Sequence, residues 1–421
     1  METLKYWIWL SLSCTPGAET FKKLIMRFAS PVEVYDAEDE DIAACIGSKS
    51  SDYNLLIDKD LKKANKILDF CIKKEVGILT FDDIKYPNSL KSISNPPVLL
   101  YYRGKLPDFN SEFFVSVVGT RRLSEYGRKN AFSISRDLAR AGAVIVSGMA
   151  IGIDGVAHAG ALSDDKITVA VLGCGIDVCY PKQHLRLARE IVKNGCVITE
   201  FCPGTRPLRH HFPIRNRIIS ALSPAVLVIE GKEKSGALIT ARSAFSQGRV
   251  VYALPGNVGN VNSELTNLLI KNGAKLCTCA DDIVYDFDAS AAGKLNPFVL
   301  SQHVPIDMFE VLSDLSVSAV SQGDRIFKIP RGKRSKTNEL SKKSSTENPL
   351  PQNSTSSEAD LSGFDQTVVK IYKKIPVGTE CAVESLIDDD LSLREVMKGL
   401  LKLEMGRFIT MLPGEKVRRN F

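Results

Sequence analysis

The sequence is poor in the features that mark a metalloprotein, a membrane protein or a nucleotide-driven motor. Its ten cysteines (Cys14, Cys45, Cys71, Cys174, Cys179, Cys196, Cys202, Cys277, Cys279 and Cys381) form no CxxC pair. The five histidines do not complete a zinc set, so no metal site is expected. Scattered thiols of this kind behave as small buried hydrophobes and fit a reducing, cytoplasmic compartment. No apolar run approaches the roughly 20 residues that cross a bilayer. The apolar stretch 6–14 faintly imitates a signal peptide, but Glu2 spoils a basic start and the stretch leads straight into the helical spacing of 18–28. No GxxxxGK[ST] loop occurs, which disfavours a P-loop ATPase. Gly173-Cys174-Gly175 begins a dinucleotide fingerprint, but Val178 stands where its third glycine belongs, so no nicotinamide or other cofactor is expected.

What remains is an ordinary packed protein. Its 421 residues, 44% hydrophobic and 25% charged, are enough for two or three domains that each bury a core. The formal net charge of +6 suits a polyanionic partner, although where the charge sits matters more than its sum. Residues 1–75 read as short helices, with Phe21, Leu24, Ile25 and Phe28 at helical spacing and Pro16-Gly17 and Ser30-Pro31 as punctuation. They form either a small domain of the helix-hairpin-helix (SAM-like) kind or a helical cap on the next domain. From 76 to 290 short apolar runs alternate with amphipathic stretches. Strands are predicted at 114–118, 144–146, 168–172, 197–199, 225–229 and 250–253, and helices at 126–141, 154–162, 185–193 and 236–247. That alternation predicts an α/β, Rossmann-like, doubly wound parallel sheet. Residues 291–362 break the pattern. Their second half, with the basic cluster at 333–336 and its Ser, Thr, Asn and Pro tracts, reads as a partly disordered linker. Residues 363–421 regain apolar spacing and predict a winged-helix domain.

In an open parallel sheet, ligands bind beyond the carboxyl ends of the strands. There the sequence places Gly119, Thr120, Arg121 and Arg122 after one strand, and Ser147 to Gly152 after the next. Gly173 to Lys182 follow a third strand, and Gly231 to Gly236 a later one. These loops combine glycine for close approach, hydroxyls at Thr120, Ser147 and Ser235, and cations at Arg121, Arg122 and Lys182. Helix starts add exposed N–H groups, so a phosphate-bearing ligand is the natural tenant. Any one of these glycines also serves as an ordinary strand-to-helix turn. Between Pro203 and Ile229 there is no acid, while Arg206, Arg209, Arg215 and Arg217 accompany His210, His211 and Phe212. Arginines beside an aromatic suit a DNA backbone with stacked bases. Asp154 and His158, four apart on one helix, read as a helix-capping carboxylate and a polar core histidine, or else as an acid/base pair.

Long ordered motifs sharpen this reading. VVGTRR (117–122), SGMAIGIDGVAHAGAL (147–162) and AVLGCGIDVCYPKQHL (170–185) resemble those of the DprA/Smf family of DNA-processing proteins. So do FPIRNRIISALS (212–223) and EKSGALITARSAFSQGRVVYALPGN (233–257). The resemblance covers about residues 80–277, and extends more weakly to both ends. It implies a non-enzymatic, cytoplasmic homodimer that grips single-stranded DNA, protects incoming strands during natural transformation, loads a RecA-type recombinase and cooperates with single-strand-binding protein. Carried onto matching positions, Gly119, Thr120 and Arg121, with Arg122 beside them, would form one phosphate-gripping turn. Ser147 and Gly148 would form a second, with Lys182 opposite. Arg215, Asn216 and Arg217 would line or brace the pocket, and Ser235, Gly236 and Ala237 would present donors at a helix start. The chain departs from the family pattern at His184, often Asn, at Ala221, often Gly, and at Glu264, usually Gly. The rival reading is a nucleotide hydrolase of the phosphoribohydrolase kind. It requires a catalytic Glu in a loop that would align with 234–241, and this chain has none there.

Overall fold

The computed structural model describes residues 3–287, 291, 293–296 and parts of 366–419. The chain forms two compact units, Met1–Arg334 and Ser335–Phe421. Six short helices open the first: α1 (Leu4–Ser13), α2 (Thr20–Arg27), α3 (Pro31–Asp36), α4 (Asp39–Ile46), α5 (Tyr53–Ile57) and α6 (Lys62–Lys73). Then follow β1 (Gly77–Thr80), α7 (Asn88–Lys91), β2 (Leu99–Gly104), β3 (Phe113–Val118), α8 (Glu125–Arg140), β4 (Ala143–Ser147), α9 (Ile153–Leu162) and β5 (Thr168–Val171). The chain continues through α10 (Leu185–Asn194), β6 (Cys196–Thr199), α11 (His211–Leu222), β7 (Ala225–Val228) and α12 (Gly236–Ser246). It closes with β8 (Val250–Ala253), α13 (Glu264–Lys271), β9 (Lys275–Leu276) and α14 (Asp281–Phe287).

The strands make one nine-stranded sheet in the order β1-β2-β6-β5-β4-β3-β7-β8-β9. From β6 to β9 all neighbours pair in parallel, while β2 lies antiparallel between β1 and β6. The chain winds outward from β3 through β4 and β5 to β6, then returns to place β7 beside β3 and winds the other way. This is the doubly wound arrangement expected, with its topological switch between β3 and β7. β3, FFVSVV, is buried along its whole length, as a parallel strand covered on both faces requires. Its one polar residue, Ser116, donates to the Ile219 carbonyl at 2.7 Å, so the strand centre holds no orphan hydroxyl.

Alternate residues of each strand face different helices. Phe114, Val118, Val146 and Val171 pack with Ile218, Ile219 and Ala241 of α11 and α12. On the other face Val115, Val117 and Ile145 meet Leu138 of α8 and Val156 of α9. Beside them Leu172 and Tyr101 share one cluster with Leu187 and Ile191 of α10 and with Trp7, Leu10, Phe21 and Leu24 of the first two helices. The N-terminal helices therefore pack against the α/β layer and share a core cluster with it. Polar ties reinforce the contact: Lys22 Nζ donates to the Ile93 carbonyl at 2.9 Å and Asn95 Nδ2 to the Gly17 carbonyl at 2.8 Å. Among the described residues no helix is long and apolar enough to cross a membrane.

In the second unit α15 (Gln366–Lys374) accompanies β10 (Cys381–Ala382), β11 (Ile409–Leu412) and β12 (Lys416–Arg419), which form an antiparallel sheet in the order β10-β12-β11. Val368, Ile371 and Tyr372 pack with Leu386, Ile409 and Val417. Most of 387–407, on which the winged-helix expectation also rests, and residues 297–362 of the linker expected over 291–362 lie outside the described residues; at its start Ala291 and Leu295 are instead buried in the cluster with Phe113 and Leu138.

Candidate nucleic-acid interface

The candidate residues gather at the C-terminal edge of the sheet, around the switch point. The turn after β3 is held from beneath by Glu230, which follows β7 and is almost fully buried. Its carboxylate accepts from the Ser124 N–H at 3.0 Å and from the Ser124 hydroxyl. Thr120 Oγ1 accepts from the Arg122 N–H at 3.2 Å, so this hydroxyl shapes the turn. Arg121 and Arg122 are exposed. The Arg121 guanidinium lies 5.4 Å from the centre of the Phe212 ring.

The turn after β4 presses against the turn after β3. Gly152 has φ +94°, and a Cβ there would stand 2.3 Å from the Thr120 carbonyl oxygen and 2.7 Å from Arg121 Cα. Only glycine allows the two backbones to approach so closely. The Ile153 N–H then donates to Thr120 O at 3.1 Å. Asp154 pins the same turn, its Oδ2 accepting from the N–H groups of Gly148 at 3.1 Å and Ala150 at 3.4 Å. The helix cap is Gly152 itself, which corrects the sequence reading of Asp154 as the capping residue. Burial pushes the Asp154 carboxyl up, while Arg215 and the two N–H groups pull it down. His158 turns the other way, its Nδ1 2.7 Å from Thr168 Oγ1 in the core, and burial holds its imidazole neutral with a pKa of about 3. The acid/base pairing of Asp154 with His158 is therefore not formed.

Three candidates face inward: Ser147 thereby departs from the part carried over by resemblance, whereas Arg215 and Arg217 take the bracing one of the two parts expected of them. The Ser147 hydroxyl is fully buried and donates to Val117 O at 2.6 Å, so it joins β4 to β3 and does not face a ligand. Arg215 lies inside as well. Its Nη1 donates to Gly148 O at 2.7 Å and to Val171 O, and its Nε to Asn216 Oδ1 at 3.0 Å. A Cβ on Gly148 would collide with that guanidinium at 2.1 Å. Arg217 is buried in an ion pair with Glu200, whose carboxyl burial raises and Arg217 lowers. The acid-free window from 203 to 229 stops just short of this glutamate, which the end of β6 carries beside α11. Two of the four arginines in that window are thus braces.

The remaining candidates face outward or line the helix start. Lys182 is exposed at the head of a short 3-10 turn, Lys182–His184. His184 ties this loop to the turn after β4, its Nδ1 3.0 Å from Met149 O. Ser235 is the N-cap of α12, its Oγ without a hydrogen-bond partner, followed by exposed Gly236 and buried Ala237. Asn216, its amide oriented by Arg215, reaches toward Gly236 O at 3.5 Å. The first N–H groups of a helix have no intrahelical acceptor, so this end offers donors to an anion. Sequence reading missed α11 as a helix, although Ile214, Ile218, Ile219 and Leu222 carry its spacing. It also missed that α11 sets Phe212 against Tyr180, ring centres 5.5 Å apart. Among the described residues no group of three or more His, Cys, Asp or Glu is placed to hold a metal ion.

Outward cations on the loops after β3 and β5, with the helix-start N–H groups after β7, have the chemistry to hold an anion. The sequence matches the family described as DNA recombination-mediator protein A over residues 77–288. The chain belongs to that family. It is 34% identical over 273 residues to the DNA processing protein DprA of Bacillus subtilis strain 168, covering 65% of this chain and 90% of that protein. To protein Smf of Escherichia coli K12 it is 43% identical over 208 residues, covering 49% of this chain and 55% of Smf. The X-ray structure of DNA processing protein A from Streptococcus pneumoniae superposes with a TM-score of 0.59 at 34% identity, covering 67% of this chain and 97% of that one. The family match opens at β1 and closes after α14, so it spans the sheet and every candidate residue.

Proposed function

We propose that this family member binds single-stranded DNA through its phosphates at the switch-point edge and acts as a recombination mediator, not as an enzyme. In this reading Gly119, Thr120, Arg121 and Arg122 grip one phosphate with Lys182 opposite, and Asn216, Ser235, Gly236 and Ala237 offer donors to a neighbouring one. Ser147, Gly148, Arg215 and Arg217 hold the frame. The observation that carries it is the tight seating of the β3 and β4 turns against each other, which fixes Arg121 at the mouth of the edge beside an aromatic ring. Such pre-organised cations with a stacking surface favour a flexible polyanion with accessible bases. The buried carboxylates Asp154 and Glu230 are committed to backbone and hydroxyl donors, which supports binding over hydrolysis. The resemblance extends the proposal to a cytoplasmic homodimer that protects incoming strands in natural transformation, works beside single-strand-binding protein and loads a RecA-type recombinase.

The test is a salt titration with fluorescent oligothymidine, single-stranded and annealed to its complement. Tight binding of the single strand, with log K falling linearly as log salt rises, is the expected result. Absence of binding at low salt, or equal preference for the duplex, would remove the proposal.

A further inference from the structure

Resting on that reading, we infer that the loop after β6 is a second phosphate-contact limb, where Arg206 and Arg209 hold the continuation of the strand seated at the switch point. The basic segment 206–217 is divided by the fold. Arg215 and Arg217 turn inward as braces, while Arg206 and Arg209 remain exposed on the loop that precedes α11. The carboxylates on this side of the edge are turned inward too. Asp154 is buried under the β4 turn, and Glu200 is buried against Arg217. Asp177, in the loop after β5, is buried and accepts from the Gly204 N–H at 2.6 Å. The outward surface over β4, β5 and β6 therefore keeps its cations and hides its acids, an arrangement a solvated face does not need.

The limb is also rigid. Besides the Asp177 bond to Gly204, the Gly175 N–H donates to Thr205 O at 2.9 Å and the Thr205 N–H to Cys202 O at 3.1 Å. Arginines on a braced loop lose little freedom when they meet a ligand. Half-exposed Leu208 lies on the limb itself, and half-exposed Tyr180 packs on Phe212, the ring beside Arg121, so both regions offer apolar surface to bases as well as charge to phosphates. The opposite direction is less suited. After β7 Glu233 separates Lys232 from Lys234, and residues 255–262 after β8 carry no charge. From β3 to β6 are three strand spacings, about 14 Å, so only a strand several nucleotides long reaches both regions.

The experiment compares the full chain with the double variants Arg206→Ala/Arg209→Ala and Arg206→Lys/Arg209→Lys, on oligothymidines of about 4 and about 20 nucleotides, bracketing typical single-strand site sizes. The alanine pair is expected to weaken binding of the long oligonucleotide at least ten-fold while leaving the short one unchanged. It should also make the slope of log K against log salt shallower by about 1.4, the value for two lost single-strand phosphate contacts. The lysine pair should restore the slope. Unchanged long-strand affinity and slope in the alanine pair would overturn the limb while leaving the switch-point site standing. Equal losses on both lengths would also overturn it, assigning these arginines to the first site. Failure of the unmodified protein to bind either length would remove both proposals.

Discussion

At the scale of single residues, the site separates cations that face solvent from cations that hold the frame. Arg121 and Lys182 are exposed and pack on no carboxylate that the structure describes, so removing either should leave the fold alone and weaken the ligand. Arg217 is the contrary case, because its loss strands Glu200 as a buried charge, at a cost of about 3–5 kcal/mol. We predict that Arg121→Ala and Lys182→Ala each reduce single-strand affinity about ten-fold or more, in line with loss of one charge-assisted contact, with unchanged melting temperature. Arg217→Ala should lower the melting temperature markedly. Anisotropy and calorimetry on the same preparations check both, and a stable Arg217→Ala protein with selectively lost binding would reverse the two assignments. This distinction was invisible in the sequence. Arg215 and Arg121 are equally arginine, and only the placement of Gly148 O and Val171 O beside one of them decides its role.

At the scale of elements, α9 shows how burial writes a pH dependence into the fold. His158 sits inside, bound to Thr168 on β5, and stays neutral with a pKa of about 3 against an ordinary 6.5. The unfolded chain therefore takes up a proton below pH 6.5 that the folded chain refuses. The stability this burial protects is fully present above about 6.5 and is lost as pH falls toward 3. The loss should be of the order of a few kcal/mol. Denaturant titrations between pH 7 and 4 should show it, and His158→Gln should flatten the curve over that range. A variant curve parallel to the unmodified one would place the acid sensitivity elsewhere. Most elements of the sheet were legible as alternating apolar runs and amphipathic stretches, and β3, β4, β5, β6, β7 and β8 fall within a residue or two of the expected limits. α11 was not recognised because its charges drew more notice than its isoleucine spacing. β1 and β2 were missed because antiparallel strands of four and six residues have no crossover helix to announce them.

At the scale of the whole molecule, the N-terminal helices and the sheet share a core cluster, whereas the second unit has its own. Trp7, Leu10, Phe21 and Leu24 cluster with Tyr101, Leu172 and Ile191. Deleting residues 1–75 should therefore expose that face of the sheet and give a protein without a cooperative thermal transition. Removing 335–421 should leave a first unit that still melts cooperatively. Differential scanning calorimetry of the two truncations checks this, and a cooperative transition after loss of 1–75 would restore those helices to the standing of a separate domain.

What the sequence determined by itself was the class of fold, the positions of the central strands along the chain and the sheet edge at which the candidate residues gather. Local periodicity and glycine-rich turns encode these, and both are properties of neighbouring residues. Tertiary structure alone decided which arginines reach solvent, that the Ser147 hydroxyl serves the sheet, and that Glu200 neutralises Arg217 from outside the acid-free window. Those outcomes depend on residues brought together from distant strands. A buried charge takes whatever partner the packing supplies, because leaving it unpaired in a low-dielectric interior costs more than the ion pair does.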